Sequence, residues 1–429
     1  MRTSGRHRRP LVPGTVLACV AAERAGGAIV RRAAVPLLLA LAACGGEAVP
    51  ESFVVTDSAG VAVAVSSAPA WAEGEAWTIA AEPRVTIGRA EGEAAYLFQF
   101  PRGLVRLEDG RIVVADNGSA ELRWFDVAGR HLHTAGGRGG GPGEFTFLTQ
   151  AFTGGDSVFA MDGQYSTLSV FDPEGAFVRT FRLEWPAQFA PPPFARTSDG
   201  DWLAAANVGS QEVRTGLVAF RNRMYRYGAE GELLDSLFEF PAGEGYLTVC
   251  GPDGSAICNN GPWFNRRSGR AVAAGRVYVG DGAGYDVAVH DAESGALVGR
   301  VRRAVAATPV RAEDVARQLE ATVERYPEER QAEVRRTLGE VPAADSLPAY
   351  GALHADPEGN LWVERYGFPW DDARVLDVFD REGRWLGQVS APVGVTIRGI
   401  GRDYVLGMTT DELGVQRVVL YDLVKPAGG

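Results

Sequence analysis

The chain has 429 residues, a formal net charge of -11 and 46% hydrophobic residues, which is ordinary for a globular protein. This acidic balance argues against nucleic-acid binding, because phosphate contacts require a basic face. Length alone permits two or three domains, although closed all-β folds often reach this size as one domain.

The first 43 residues differ from the rest in charge. They are rich in arginine, and Arg31-Arg32 precedes an apolar run from Ala33 to Ala43. A basic flank, a short apolar stretch and small residues predict a secretory signal peptide, since the run is too short for a permanent transmembrane helix. Residues 1–43 are therefore predicted to be an extension and signal, residues 44–50 a tether, and residues 51–429 the exported domain.

The segment Leu41-Ala42-Ala43-Cys44 resembles the lipobox of bacterial lipoproteins. The resemblance implies cleavage before Cys44 and acylation of this cysteine, which would tether the domain to a membrane without spanning it. An ordinary signal peptide with a cysteine by chance is the alternative. We expect export to the cell envelope, with the domain facing the periplasm or the cell exterior.

A two-part pattern recurs six times after residue 100. A Gly-containing turn leads into a β-rich run, and an aromatic or His residue, usually followed by Asp, then precedes a second Gly. Asp126 and Asp172 of adjacent units are 46 positions apart, within the roughly 40–50 residues of a propeller blade. The second halves of the six units contain Asp126, Asp172, Tyr227, Asp291, Asp380 and Asp422.

These units predict an all-β fold, a six-bladed β-propeller. The unit at Asp422 lacks an outer strand, and residues 53–63 carry the missing half of the pattern. We therefore expect the N-terminal segment to pair into the last blade and to close the ring, which removes an open sheet edge. A seven-bladed ring, with residues 52–90 as a blade of their own, is the less favoured alternative.

Four motifs around the first unit resemble NHL-type repeats, and the later units match less well. The motifs are Phe100-Pro101-x-Gly103, Asp109-Gly110-x-Ile112-x-Val114-Ala115-Asp116, Phe125-Asp126-x-x-Gly129 and Gly137-x-Gly139-x-Gly141-Pro142-Gly143-Glu144-Phe145. The chain as a whole is similar to exported six-bladed propeller lipoproteins of bacteria. This resemblance implies the fold and an envelope location, and little about activity.

Residues 309–340 predict a helical insert between the fourth and fifth units. Thr308 is the expected N-cap, with Pro309 at the first helical position. Pro327 is expected to divide the insert into two helices. The insert either covers one mouth of the ring or packs as a decoration on one blade.

Cys250 and Cys258 flank a turn-forming Gly-Pro-Asp-Gly-Ser stretch. In an oxidising compartment this spacing predicts a disulfide that closes a local loop. A metal site is the alternative, although no histidine lies near the pair in sequence.

A metal site on the propeller axis is a further hypothesis. Some six-bladed propellers are calcium-dependent lactonases or zinc-dependent lyases, and the residues that end β runs here are Asp116, Asn117, Asp162 and Asp281. Hairpin turns explain the same residues without a metal. No catalytic residue is assigned, because the chain has no Gly-x-Ser-x-Gly elbow. No cofactor is predicted, with calcium left open.

Aromatic residues near the insert are candidates for a recognition surface, since such residues dominate many interfaces. They are Trp263, Phe264, Tyr366, Phe368 and Trp370, which could instead fill space between blades. The sequence favours a monomeric, non-enzymatic module that binds an envelope protein, peptide or glycan and meets the membrane only through a lipid anchor. The alternative is a metal-dependent hydrolase or lyase, lactonase-like, with its site in the axial channel.

Overall fold

The structure, a computed structural model, describes residues 52–185, 190–208, 215–250 and 256–426. Cys44 and the predicted signal peptide lie outside these residues, so cleavage and lipidation stay predictions. No helix within the described residues has the length and apolarity needed to cross a membrane.

Four short strands and one 3-10 turn, Ala94–Tyr96, come before the first repeat unit. The strands are β1 (Phe53–Ser58), β2 (Val61–Ser66), β3 (Thr78–Ile79) and β4 (Val85–Ile87).

The first three blades follow one another along the chain as antiparallel sheets. Blade 1 contains β5 (Pro101–Arg106), β6 (Ile112–Asp116), β7 (Glu121–Phe125) and β8 (His131–Gly136). Blade 2 contains β9 (Leu148–Gly154), β10 (Ser157–Asp162), β11 (Thr167–Phe171) and β12 (Phe177–Arg182). Blade 3 contains β13 (Pro193–Arg196), β14 (Trp202–Asn207), β15 (Gly216–Tyr227), β16 (Leu233–Cys250) and β17 (Ala256–Asn259).

The last three blades complete the set of six sheets among the described residues. Blade 4 contains β18 (Gly269–Ala273), β19 (Arg276–Gly280), β20 (Asp286–Asp291) and β21 (Leu297–Arg303). Blade 5 contains β22 (Tyr350–Ala355), β23 (Leu361–Arg365), β24 (Arg374–Phe379) and β25 (Trp385–Ala391). Blade 6 contains β26 (Val395–Ile400), β27 (Tyr404–Thr410) and β28 (Gln416–Val424).

The hydrophobic core of the described residues forms six clusters, each packed between two neighbouring blades. Middle strands such as β6 are buried along their whole length, because both faces of a blade pack against a neighbour. The cluster that joins blade 6 to blade 1 includes Leu420 and Leu406 together with Leu104 and Phe125. The ring is therefore closed, and the prediction of an all-β, six-bladed propeller is confirmed.

The recurring aspartates of the repeat support hairpin turns. The Asp126 carboxylate accepts hydrogen bonds from the backbone N–H groups of Ala128 and Arg130, at 2.9 and 2.8 Å. Gly129 in the same turn has a φ of 79°, which a residue with a side chain rarely adopts. The Asp and Gly of the repeat pattern therefore form the turn between the third and fourth strands of a blade.

The N-terminal strands are distributed over two blades. β2 pairs in parallel with β21, the outer strand of blade 4, where Ala64 lies opposite Val301, and β1 pairs with β2. β3 and β4 pair with β28 of blade 6, where Val85 lies opposite Leu420. The N-terminal segment closes the ring as predicted, but through residues 78–87.

The expectation that residues 53–63 complete the last blade is wrong. Their pattern suits any open outer edge, and blade 4 also has one. Between the two blades the chain follows β25 of blade 5, where the N–H groups of Ala70 and Trp71 donate to the carbonyls of Trp385 and Leu386 at 2.9 and 2.8 Å. The segment thus connects blades 4, 5 and 6 before β5 begins.

The predicted insert between blades 4 and 5 forms two helices, α1 (Ala312–Val323) and α2 (Glu328–Gly339). Pro327 separates them, as expected, and is the N-cap of α2. Val323 and Val334 are the buried residues of the two helices, so each helix packs one side and exposes the other.

The expected helix start at Pro309 is wrong. Arg311 is the N-cap, and its backbone N–H donates to Asp314 Oδ2 at 2.9 Å. Pro309 forms a β-bridge with Ser346, and the Thr308 carbonyl accepts a hydrogen bond from Leu347. Residues 308–310 are therefore extended and pair with residues 345–347, so they do not form the first turn of α1.

Candidate functional site

The two faces of the ring carry different structures. We call upper face the side on which the inner strands β5, β9, β13, β18, β22 and β26 begin. The loops that follow the second strands lie on the same side, because Asn117 N–H donates to the Phe100 carbonyl and Gly163 N–H to the Phe147 carbonyl, both at 2.9 Å. The lower face carries the turns between the first and second strands.

Both large departures from a regular blade are on the upper face. The helical insert joins the end of β21 to the start of β22, and both positions belong to this face. The β15–β16 hairpin continues beyond its pairing with β14, which ends at Asn207 opposite Asn222, and β17 adds to this extension. The upper face is therefore the irregular one, and loops on a rigid scaffold commonly carry function.

Three of the predicted aromatic residues form a cluster on the upper face. The ring centroids of Phe368 and Trp370 are 4.9 Å apart and stacked, and Phe264 meets them edge-on at 5.3 and 6.3 Å. The Arg317 guanidinium of α1 lies 4.3 Å from the Trp370 ring. We call Phe264, Phe368 and Trp370 the aromatic cluster.

Trp263 connects the same region to the second helix. Its indole N–H donates to the Leu338 carbonyl at 3.3 Å, and its backbone N–H donates to the Pro342 carbonyl at 2.8 Å. The structure therefore brings the predicted residues of loops 260–268 and 366–373 together around the helical insert, although they are about a hundred positions apart in sequence.

A cavity of about 600 Å³, here called the upper cavity, opens beside this cluster. This volume is within the 300–1,000 Å³ range of small-molecule and side-chain pockets. The inner strands of blades 3, 4 and 5 supply its walls, so it lies at the mouth of the central channel. Its lining includes Phe194, Arg267, Ser268, Arg270, Tyr350 and Tyr366.

Tyr366, the fifth predicted aromatic residue, is shared by three cavities. Besides the upper cavity it lines neighbouring cavities of about 520 and 230 Å³, which also touch Phe368 or Phe264. Burial raises the pKa of the Tyr366 phenol, and the positive charge of Arg267 opposes this rise. The phenol is therefore neutral and available as a hydrogen-bond donor at the junction between the cluster and the channel.

Several polar side chains of the upper cavity lack hydrogen-bond partners in the described part of the chain. The guanidinium groups of Arg267 and Arg270 make no hydrogen bond or ion pair there, and the Arg270 guanidinium lies 4.7 Å from the Phe194 ring. Burial lowers the pKa of Arg270. The Ser268 hydroxyl is buried without a hydrogen-bond partner among the described residues. Buried polar groups in proteins usually form hydrogen bonds, so these side chains are available to bind a polar ligand.

The lower face carries another cavity, of about 780 Å³, at the opposite mouth. Some of its charged groups are paired within the protein. Arg111 pairs with Asp109 at 2.7 Å, and hydrogen bonds from Arg111 lower the pKa of the Asp109 carboxyl. The Arg106 and Arg196 guanidinium groups lie over the rings of neighbouring aromatic residues, and the Nε atom of each is buried without a hydrogen-bond partner among the described residues. We take the upper cavity as the candidate site because the aromatic cluster and the helical insert lie beside it.

Two of the predicted metal ligands have structural roles. Asp116 is fully buried, accepts backbone hydrogen bonds from Gln99 and Phe100 at 3.1 and 2.7 Å, and pairs with Arg123. Asp162 has a similar place in blade 2, where its buried carboxylate accepts from the Thr146 N–H at 2.6 Å. These carboxylates hold the start of the inner strand in blades 1 and 2.

The other two predicted metal ligands are also engaged. The Asn117 amide donates to the Leu148 carbonyl of blade 2 at 2.7 Å, and Asp281 pairs with Arg266 at 3.5 Å. Within the described ranges no three His, Cys, Asp or Glu residues come together as a metal site. The structure therefore does not unite Asp116, Asp162 and Asp281 on the axis.

The predicted disulfide lies partly outside the described residues. Cys258 on β17 is disulfide-bonded, whereas the side chain of Cys250 is not among the described groups. The Cys250–Cys258 pairing stays a prediction.

The arginines of the upper cavity were not among the residues predicted from the sequence. Arg267 and Arg270 belong to no recognisable motif, and 43 basic residues are spread along the chain. Their lack of acidic partners is a property of the folded ring. The only available signal was their position beside the predicted Trp263 and Phe264.

Comparison with known proteins agrees with the fold. Residues 100–204, about a quarter of the chain, match the DUF5128 family, described as a 6-bladed beta-propeller. No curated protein sequence matches the chain.

Solved structures with a similar fold have low sequence identity. A protein from Bacteroides fragilis NCTC 9343, assumed to be exported, is 11% identical with a TM-score of 0.48, over 85% of this chain and 99% of that one. A DUF4221 family member from Bacteroides vulgatus ATCC 8482 is 8% identical with a TM-score of 0.47, over 82% and 100%. Virginiamycin B lyase from Staphylococcus aureus is 11% identical with a TM-score of 0.38, over 76% and 95%. Similarity at this level carries no argument about ligand or reaction.

Proposed function

We propose that this protein is an exported, non-enzymatic binding module that takes a peptide or glycan ligand at the mouth of the channel on its upper face. Its export and its lipid anchor at Cys44 rest on the N-terminal sequence. The proposal assigns the propeller the role of a rigid scaffold and the upper-face loops the role of the recognition surface.

The upper cavity is the observation that carries this proposal. It has the volume of a binding pocket, and it combines the partly buried rings of Tyr366 and Phe194 with arginine and hydroxyl groups that lack partners in the described chain. Binding sites typically place a few polar groups in an apolar, aromatic lining. Aromatic and arginine side chains also supply most of the energy at protein recognition sites.

The same geometry gives the hydrolase or lyase alternative no support of its own. The carboxylates nominated for an axial metal are occupied by backbone N–H groups or by arginines. No described residue in the upper cavity forms a nucleophile–base pair, since the Ser268 hydroxyl is without a hydrogen-bond partner. We therefore propose binding as the function.

Binding to immobilised glycan and peptide arrays tests the proposal. The purified exported protein is expected to select a defined set of compounds, and Tyr366→Ala is expected to weaken that binding about tenfold or more, as loss of a central aromatic contact does. Tyr326→Ala is the matched control. Tyr326 is 38% exposed between α1 and α2 and lines none of the cavities described above.

Equal loss of binding in the two variants would show that the effect is not specific to the cavity. Unchanged binding in Tyr366→Ala would place the ligand elsewhere, and selection of no compound from either class would remove the proposed function. The melting temperature of each variant shows whether the fold is retained.

A further inference from the structure

The inner strands of the ring are irregular in a consistent way. In five of the six, the pairing with the second strand skips one or two residues, which is a β-bulge. A bulge re-aims a side chain and is common beside functional sites. The outer edge of each inner strand is hydrogen-bonded to the second strand, so the inner edge faces the central channel. Skipped residues include Arg102, Thr149, Phe194 and Arg398.

Two of these skipped residues are arginines of adjacent blades. Arg102 belongs to blade 1 and Arg398 to blade 6, and both keep contact with solvent. The surrounding protein of the concave channel lowers the pKa of Arg398, and the like charge of Arg102 lowers it further. Like charges on adjacent blades repel each other, and a bound counter-charge would relieve this repulsion.

Neither guanidinium group has an acidic partner in the described part of the chain. The side chains of Arg102 and Arg398 make no hydrogen bond or ion pair with those residues, and the same holds for the side chains of Arg267 and Arg270 at blade 4. In a six-bladed ring, blade 4 lies opposite blade 1. The channel mouth therefore has unpaired positive charge on two opposite sides, in a protein whose formal net charge is -11.

Exposed aromatic rings accompany the charge. The Arg102 guanidinium lies 5.7 Å from the ring centroids of both Phe100 and Phe147. These rings are 57% and 43% exposed, although large apolar side chains are usually buried. On the opposite side Phe194 and Tyr366 line the upper cavity. Each side of the mouth thus combines guanidinium groups with flat apolar surfaces.

We propose that the channel mouth binds an acidic oligosaccharide, whose carboxylates pair with Arg102 and Arg398 on one side and with Arg267 and Arg270 on the other. The inference rests on the proposed binding function and names its ligand class. Arginine is suited to this role because its planar guanidinium matches a carboxylate and stacks on flat surfaces.

An acidic oligosaccharide fits better than an acidic peptide. Each of its sugar rings presents an apolar C–H face and a carboxylate together, so both kinds of contact recur along the ligand. The charged residues of an acidic peptide bring no flat apolar face to Phe100, Phe147 or Tyr366. The two-sided arrangement of arginines also requires at least two separated negative charges, which a single small anion such as inorganic phosphate lacks.

Calorimetric titration with trigalacturonate tests the inference, with its methyl ester, triglutamate and inorganic phosphate as comparison probes. The methyl ester keeps the rings and removes the charges. Trigalacturonate is expected to bind at least about tenfold more tightly than each of the other three, since a charge-assisted hydrogen bond is worth about this factor. Its affinity is expected to fall as NaCl rises to about 0.5 M, because salt screens exposed charges.

Arginine variants locate the site. Arg102→Gln with Arg398→Gln is expected to weaken trigalacturonate binding about tenfold or more, as loss of charge-assisted bonds does. Arg267→Gln alone, which spares the more buried Arg270, is expected to weaken it in the same direction. The control, Arg381→Gln with Arg402→Gln, removes the same charge from lower-face turns and is expected to leave the affinity unchanged.

Several results would overturn the inference. They are absence of trigalacturonate binding, equal affinity for its methyl ester, tighter binding of triglutamate or phosphate, or an equal loss in the control variant. The proposed binding function is tested separately, by the effect of Tyr366→Ala. Methyl ester or peptide binding that Tyr366→Ala abolishes would keep a binding module at this mouth and remove only the acidic ligand.

Discussion

Because β4, and not β1, closes the ring, we expect the same Val→Ala substitution to lower the stability much more on β4 than on β1. Val85 on β4 is 5% exposed and packs in the cluster between blades 6 and 1, beside Leu420 and Leu104. Val54 on β1 is 39% exposed and lies on the outermost strand attached to blade 4. Val→Ala removes the same two carbon atoms at each position.

The structure sets the size of the difference. Two buried carbons are worth about 1.6 kcal/mol in transfer free energy, and the remaining cavity raises the loss at Val85 to about 2–3 kcal/mol. At Val54 the same change is expected to cost less than about 0.5 kcal/mol, as is usual for surface positions. Urea unfolding followed by tryptophan fluorescence measures both values.

The outcome decides which N-terminal strand completes the ring. Val85→Ala is expected to lower the unfolding free energy strongly and Val54→Ala hardly at all. Equal effects, or a larger effect at Val54, would refute the assignment of β4 to blade 6 and favour the pairing expected from the sequence pattern.

Two further predictions concern buried polar groups. Asp116→Ala leaves the Arg123 side chain, 5% exposed, without this partner and removes the acceptor for two backbone N–H groups. It is therefore expected to lower the free energy of unfolding in urea by about 3–5 kcal/mol. The control Glu174→Ala removes a carboxylate that is 74% exposed and should change this free energy hardly at all. Burial lowers the pKa of His133 and of His290 below the ordinary 6.5, so the unfolded chain takes up protons more readily than the folded one. The stability that depends on these neutral rings is complete above pH 6.5 and is lost as pH falls through 6.5 towards the lowered values. The urea midpoint should therefore change less between pH 5 and 8 in the double variant His133→Gln with His290→Gln than in the natural protein. The same pH dependence of the midpoint in both proteins would contradict this prediction.

The number of blades was predictable because each repeat unit contains the residues that form a local turn. Aspartates such as Asp126 and glycines such as Gly129 form the same turn in several blades, and this requirement is visible in sequence. The edge that residues 53–63 join was not predictable, because the unpaired outer strands of blades 4 and 6 offer the same backbone groups. Pairing choice depends on the path of the chain around blade 5.

The candidate site was predictable in part. Trp263, Phe264, Tyr366, Phe368 and Trp370 were found as aromatic residues near the insert, and the structure places them around it. The carboxylates of Asp116 and Asp162, candidates for an axial metal, accept backbone hydrogen bonds, and sequence does not show which backbone N–H groups a carboxylate will accept. The role proposed for Arg102 and Arg398 could not be predicted, because it depends on bulges in the inner strands and on the lack of ion pairs at these two residues in the described ring.

Hydrogen–deuterium exchange with and without the tightest-binding array compound tests the central claim most directly, because it locates the ligand on the ring. We expect slower exchange in the upper-face loops 260–268 and 366–371 and at the start of β22. Protection confined to the lower-face turns 107–111 and 153–156, or no protection on the upper face, would contradict it.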